Sequence, residues 1–302
     1  MVIRVSSGKL VSNNIGFKAN FQEGFTAAAA DTVWPRVATL VPSTTREEEY
    51  GWLKDIPQIR EWFGDRVINA LADDGYKIKN RKFELTISVK GDDINDDRVG
   101  LYGPQFKFMG DEVSRFPNRL VFDLAKVGFS TNCYDGQYFF DTDHPYTTKA
   151  GAAGTQSNYQ SGSGDPWMLL CTKRPLKPFI YQEREKFQYN ELTKPTDPNV
   201  FMRDDLIYGV DGRANVGFGF WQMAVGSKAD LTDVNFKAAR QLMQTLLGDH
   251  GKPLGFTPDL FVGSSSHQDA ADALFNTATL SAGGGNPLFK AVDVLITPYM
   301  IP

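Results

Sequence analysis

Two stretches of the sequence hold side chains that could do chemistry. Asp141-Thr142-Asp143-His144 places two carboxylates and an imidazole within four residues, the right kinds of group for hydrolysis or for a divalent metal. A catalytic metal takes three protein ligands and keeps one position open. No further His or Cys stands close by in sequence except Cys133. Asn132 and Gly136 lie just upstream, a composition suited to Asx turns and caps. The run is therefore read as a structural loop, and a hydrolase using Asp141, Asp143 and His144 is kept as a rival.

The second stretch is Asp92-Asp93-Ile94-Asn95-Asp96-Asp97. Counting Asp93 as the first position of a calcium loop supplies Asn95 and Asp97. It also puts Arg98 where Gly is needed and Pro104 where a bidentate Glu should close the site, so the motif fails. Acidic residues there suit the N-terminal dipole of a following helix instead. Gly217-Phe218-Gly219 lacks the third glycine of a dinucleotide loop, and Gly248–Pro253 lacks Walker spacing. Gly263-Ser264-Ser265-Ser266-His267 has no second glycine to form a nucleophile elbow. Lys173, Arg174, Lys177, Arg184 and Lys186 form the densest basic cluster and read as a solvated face. The sequence thus assigns no catalytic, cofactor-binding or metal residue, and the expectation is a protein that is not an enzyme.

The composition agrees. The chain has 302 residues, enough for about two domains at ~150 residues each. A net charge of −4 lacks the basic excess of a protein that coats nucleic acid. Two cysteines exclude a disulfide scaffold or a four-thiolate zinc site and fit a reducing compartment. The N-terminus up to Phe25 lacks the apolar stretch of roughly 7–15 residues that a signal peptide needs. No window approaches about 18 apolar residues, so no spanning helix is expected and the chain reads as a soluble intracellular product. The unusual figure is the aromatic content, 13%.

The elements that must position these residues follow from periodicity. Residues 103–128 carry the best helical pattern: Phe106, Met109, Val113, Phe116, Leu120, Leu124 and Val127 fall on one stripe. The stripe crosses Pro117, where a kink is expected, and Gly128 suits a C-cap. Such a helix spans ~39 Å, long enough to cross the whole body. Residues 1–38 read as an arm with a short helix around Ala27–Ala30, ended by Trp34-Pro35. Residues 39–95 read as a two-limbed β excursion, with Phe83, Leu85, Ile87 and Val89 alternating against polar neighbours. Residues 129–175 are loop-rich, and the Gly/Ser/Thr tract at 147–165 suggests mobile surface loop. Strand-like pieces recur over 178–225, including Val200–Met202. A capped helix then starts near Thr232, and strands are expected at Asp259–Val262 and Val292–Thr297.

A polar arm, a long excursion, an overlong helix and surplus aromatics are features a monomer cannot cover by itself. Certain residues go further. Tyr50-Gly51-Trp52-Leu53 with Glu61-Trp62, Cys133-Tyr134-Asp135-Gly136-Gln137 with Phe139-Phe140-Asp141 and His144-Pro145, and Lys177-Pro178-Phe179-Ile180 with Gln182-Glu183-Arg184 form collinear blocks. Gly219-Phe220-Trp221-Gln222-Met223-Ala224-Val225 followed by Asp230-Leu231-Thr232 is the fourth. Together they resemble the gpT-like family, the major head subunits of Mu-like phages.

That resemblance implies an α+β subunit with the HK97-like capsid fold. Residues 1–38 would be the N-terminal arm and 39–95 the E-loop. Residues 96–230 would be the P-domain, with its spine helix at about 103–128 and strands over 178–225, and 231–302 the A-domain. The implied function is a major capsid protein of a bacteriophage or prophage, self-assembling as hexamers and pentamers into an icosahedral shell around packaged DNA. Another virion role, in tail or decoration, is the alternative. Implied partners are further copies of the chain, a portal, a scaffold or protease and a decoration protein, with non-specific proximity to double-stranded DNA and no membrane. The implied location is the virion, after synthesis in the host bacterial cytoplasm. Tyr50, Trp52, Trp62, Phe63 and Tyr76 are the expected inter-subunit contacts, and the stripe from Phe106 to Val127 the expected core of the spine helix.

Overall fold

The computed structural model describes residues 7–54, 75–96, 98–280 and 283–301. Two helices and a long sheet form one half of it. Helix α1 spans Ser7–Ala29, far longer than the short alanine helix expected, and a brief α2 follows at Trp34–Val37. Pro35 sits in the first turn of α2, where a missing N–H costs nothing. Helix α4, Gly103–Val127, runs beside α1, after a short α3 at Gly91–Asn95. The two long helices touch backbone to backbone. A Cβ on Gly110 would lie 2.0 Å from the Phe21 carbonyl oxygen, and one on Gly24 2.0 Å from that of Lys107. Phe17 stacks on Phe106 with ring centroids 4.4 Å apart. What holds α1 helical is therefore the partner helix, since its own sequence carries little amphipathic signal.

The buried face of α4 departs from the expected stripe. Phe106, Met109 and Val113 are buried as expected. Beyond Pro117 the buried positions become Asn118, Val121, Phe122 and Ala125. Phe116, Leu120 and Leu124 are only partly covered, and Val127 is 45% exposed. The reason is that α4 packs on two surfaces at once. Its N-terminal half faces α1 and the long sheet, and its C-terminal half faces the aromatic cluster around Phe139, Phe140, Phe179 and Phe218. Asn118 accepts the backbone N–H groups of Val33 and Trp34 at 3.0 and 2.9 Å, so a polar residue at this buried site caps α2. Gly128 follows α4 with φ −60°, an ordinary helical value rather than the left-handed cap expected. A Cβ there would meet the Phe140 ring at 3.1 Å, so close approach explains the glycine.

The long sheet has the order β1-β9-β10-β4, with β1 Ala38–Pro42, β9 Phe179–Leu192, β10 Asp205–Phe218 and β4 Arg81–Lys90. Strands β9 and β10 form one antiparallel hairpin from Phe179↔Phe218 to Ile207↔Leu192. The expected alternation of β4 turns one face inward, and Phe83 meets Phe116 edge-on at 4.6 Å. Val200–Met202, expected as strand, instead lies in helix α5, Pro198–Arg203, at the hairpin's far end. Between β1 and β4 the chain leaves the sheet as β2 Glu47–Tyr50 and returns as β3 Tyr76–Lys79.

The second sheet has the order β15-β14-β8-β11-β7. It comprises β7 Tyr159–Gln160, β8 Trp167–Leu170, β11 Ala224–Ser227, β14 Leu260–Gly263 and β15 Asp293–Ile296, while β12 Leu247–Gly248 pairs with β13 Lys252–Pro253 outside it. Every residue of β8, β11 and β14 is buried. Helix α6, Asp233–Gln244, covers this sheet with Phe236, Ala239 and Met243, capped by the Thr232 hydroxyl accepting from the Asn235 N–H. A short α7, Gln268–Ala271, follows β14. Two readings change here. The stretch 129–175 supplies the hairpin β5 His144–Thr147 with β6 Ala153–Gln156, and then the fully buried β8, rather than loop alone. The boundary expected at residue 230 runs through one sheet, because β8 pairs with both β11 and β14. Polar turns hide such short strands, whose pairing partners are remote in sequence.

Candidate functional site

At the base of the excursion, the turn joining β1 to β2 is tied by one carboxylate. Glu48 Oε1 accepts from the N–H groups of Thr44 and Thr45 at 2.9 and 3.1 Å and from the hydroxyl of Ser43 at 2.9 Å. These hydrogen bonds, led by the Thr44 and Thr45 N–H groups, lower its pKa to about 2. Strands β2 and β3 pair with Tyr50 opposite Tyr76. The Tyr50 hydroxyl donates to Gln182 Oε1 at 2.7 Å, and Gln182 Nε2 donates to the Ile78 carbonyl and to Asn80 Oδ1. Gln182 is fully buried on β9 and binds the excursion to the long sheet.

Two of the residues expected between subunits, Tyr50 and Tyr76, make these contacts within their own subunit. Tyr50 is buried in its own subunit against Leu53, Ile78 and Ile180, and burial pushes its phenol pKa up. Tyr76 is half-buried, and its hydroxyl accepts from the Phe218 N–H. Both tyrosines anchor the excursion's base within the subunit. Trp62 and Phe63 lie outside the described residues, as does the side chain of Trp52 in the turn Gly51–Lys54. Much of the aromatic surplus is likewise interior: among the described residues, Trp167, Trp221, Tyr208 and nine phenylalanines are fully buried.

Apolar residues do stand in water elsewhere. Phe201 and Met202 on α5 are 73% and 74% exposed at the end of the β9–β10 hairpin. Phe108 on α4 is also exposed, beside Ala27 and Pro104 in a shallow groove between α1 and α4. Glu23 and Lys107 form an ion pair at 2.7 Å at its edge. Periodicity does not mark these positions. The one available signal was an adjacent Phe-Met pair set among Asp, Asn, Arg and Pro.

The suspected Asp141-Thr142-Asp143-His144 run does not converge on one point. Asp141 accepts from the backbone N–H groups of Tyr138 and Thr142, and Asp143 is exposed. His144 turns the other way. It is fully buried, stacks on the indole of Trp221 at 3.8 Å, and places Nδ1 2.7 Å from Asp135 Oδ2. The Cys133 thiol donates to Asp135 Oδ1 at 3.1 Å, as does the Gln137 N–H. Burial pushes the Cys133 thiol pKa up, helped by the adjacent Asp135 charge. Burial also works to raise Asp135, but hydrogen bonds from His144, Cys133 and Gln137 outweigh it and leave its pKa below the usual value. Ser264, Ser266, His267 and Asp165 also meet, yet the Asp165 carboxylate takes the Ser266 hydroxyl rather than the histidine, whose hydrogen bond to Asp165 goes to the backbone, unlike a triad acid.

Two sheets, a long helix beneath the larger one and an excursion from its edge define an α+β capsid subunit of the HK97-like kind. The chain belongs to the family of the Mu-like prophage major head subunit gpT, whose model matches residues 10–300. It is 36% identical to the major capsid protein of Escherichia phage Mu over 99% of this chain and 100% of that one. It superposes on a chain of the bacteriophage JBD30 procapsid with a TM-score of 0.84 and 42% identity, covering 98% of this chain and 100% of that one. A chain from the JBD30 capsid decorated with minor capsid protein trimers gives 0.76 and 31% identity, covering 91% and 93%.

Proposed function

We propose that this chain is the major capsid protein of a Mu-like phage or prophage, forming hexamers and pentamers that close into an icosahedral head around packaged DNA. The observation that carries the reading is the end-to-end match to a subunit of an assembled procapsid. Repeated heterologous contacts close into rings when their rotation permits. In this reading the chain beyond β2 and β3 is the E-loop laid on a neighbour, with Trp52, Trp62 and Phe63 among its contacts. The long sheet and α4 form the P-domain, and the five-stranded sheet with α6 and α7 forms the A-domain. Residues 1–38 form the arm, stored here along α4. Phe201, Met202 and Phe108 join the contacts between copies. A portal, a scaffold or protease and a decoration protein complete the partners, and synthesis takes place in the host bacterial cytoplasm.

Negative-stain microscopy of the purified chain tests this directly. Closed shells are expected. Tubes would favour a tail protein, and dispersed small oligomers under all assembly conditions would overturn the reading. A hydrolase built on Asp141, Asp143 and His144 gains no support from a geometry that separates the three.

A further inference from the structure

The buried His144 ring lies between the Asn158 amide and the Asp135 carboxylate. Asn158 is fully buried, and its Nδ2 lies 2.8, 3.2 and 3.1 Å from the carbonyl oxygens of Phe139, Trp221 and Ala224. Three acceptors fix the amide nitrogen there, so Oδ1 must be the atom turned toward the Asp141 N–H and His144 Nε2, at 2.9 and 3.2 Å. Nε2 therefore carries the proton that Oδ1 accepts. On the other side, Nδ1 and the carboxylate oxygen of Asp135 stand 2.7 Å apart. Two lone pairs do not approach so closely unless something positive lies between them. A proton is one possibility, but the third group at the site extends the choice: Cys133 Sγ, a carboxylate oxygen of Asp135 and a ring nitrogen of His144 all lie within 4.8 Å of one another.

We propose that Cys133, Asp135 and His144 bind a divalent transition metal of the zinc type through Sγ, a carboxylate oxygen and Nδ1. The donor set is mixed and borderline-soft, as zinc prefers, and tetrahedral bonds of ~2.0–2.3 Å would set the donors about 3.3–3.7 Å apart. At present Nδ1 lies 2.7 Å from Oδ2 and Sγ 3.1 Å from Oδ1, the two oxygens of one carboxylate, so the carboxylate must turn and these contacts open for a single oxygen to join both donors around a metal. The Asn158 contact to Nε2 is the outer-shell hydrogen bond that ligating histidines usually make, and the Trp221 stack fixes the ring plane. Asp135 also lines a cleft of about 400 Å³ with Tyr146, Gln156 and Asp249. On binding, the thiol proton and the proton between Nδ1 and the carboxylate leave to solvent, and no redox change occurs. The metal would fasten the turn after α4 to the start of β5.

The test is Co²⁺ titration of the purified, chelator-treated full chain, read in the ultraviolet and visible. One equivalent should bring a thiolate-to-cobalt charge-transfer band with tetrahedral visible bands. Zn²⁺ should displace the band and raise the Tm. Cys133→Ser should lose the charge-transfer band, and Cys171→Ser should keep it. Should Cys133→Ser fail to fold, proton release from the wild-type chain decides, with about two protons expected per metal. Absence of the band at excess Co²⁺, or its survival in Cys133→Ser, overturns the proposal and leaves the trio a hydrogen-bonded Cys-Asp-His cluster holding a proton.

Discussion

Glu48 shows how much one exposed-looking acid can organise. Four groups of the Ser43–Thr45 turn donate to its Oε1. Its folded pKa, about 2, lies below the ordinary 4.5. Its contribution to stability is therefore complete above pH ~4.5 and disappears as the pH falls toward about 2. Denaturant unfolding of wild type and Glu48→Gln should differ at neutral pH and converge as the pH is lowered through that window. A constant difference down to pH ~2 would place its effect elsewhere. Neither this role nor that of Gln182 was legible beforehand. Glu48 sits in a run of three glutamates and Gln182 in a polar stretch, and only folding brings Tyr50, Ile78 and Asn80 to Gln182.

At the scale of elements, the long helix was legible and its facing was not. The stripe from Phe106 to Val113 points where periodicity predicts, because one partner surface covers it. Past Pro117 a second surface takes over, and the buried face moves to Val121, Phe122 and Ala125. Phe122→Ala should cost about 3–5 kcal/mol, whereas Val127→Ala should stay within about 0.5 kcal/mol, both by chemical denaturation. The reverse order would restore the stripe that the spacing suggests. The α1–α4 crossing gives a sharper test. Gly110→Ala forces a methyl group onto the Phe21 carbonyl, where helix propensity alone would favour alanine. A loss of about 1–3 kcal/mol is expected, with α1 amides losing hydrogen-exchange protection first. A stabilised variant would mean that α1 does not rest on α4 in solution.

For the whole molecule, the question is what the excursion does. Its base is part of the subunit's own core, and Gly75 lies against Gly51, so the two limbs can be joined briefly. Replacing residues 55–74 with a short Gly/Ser linker, sparing Tyr50 and Tyr76, should leave the Tm close to wild type and abolish shells in the microscope. Normal shells from this variant would remove the excursion from the assembly mechanism. A deletion that includes the two tyrosines would confuse unfolding with failed assembly.

Several features followed from the sequence alone. They are the amphipathic helix from residue 103, the alternating strand ending at Val89, the capped helix after Thr232, and blocks of rare residues that resemble one family of head subunits. Each is written in neighbouring residues, where spacing and side-chain type suffice. Tertiary structure alone decided the rest: that α1 is a full helix, that β8 joins β11 to β14 across the expected domain boundary, and that His144 leaves Asp141 and Asp143 for Asp135 and Cys133. Those outcomes depend on surfaces brought together from distant parts of the chain. Two glycines must meet two carbonyls, and a buried amide must meet an imidazole. Local periodicity carries no record of such pairings, because each partner looks ordinary until the other arrives.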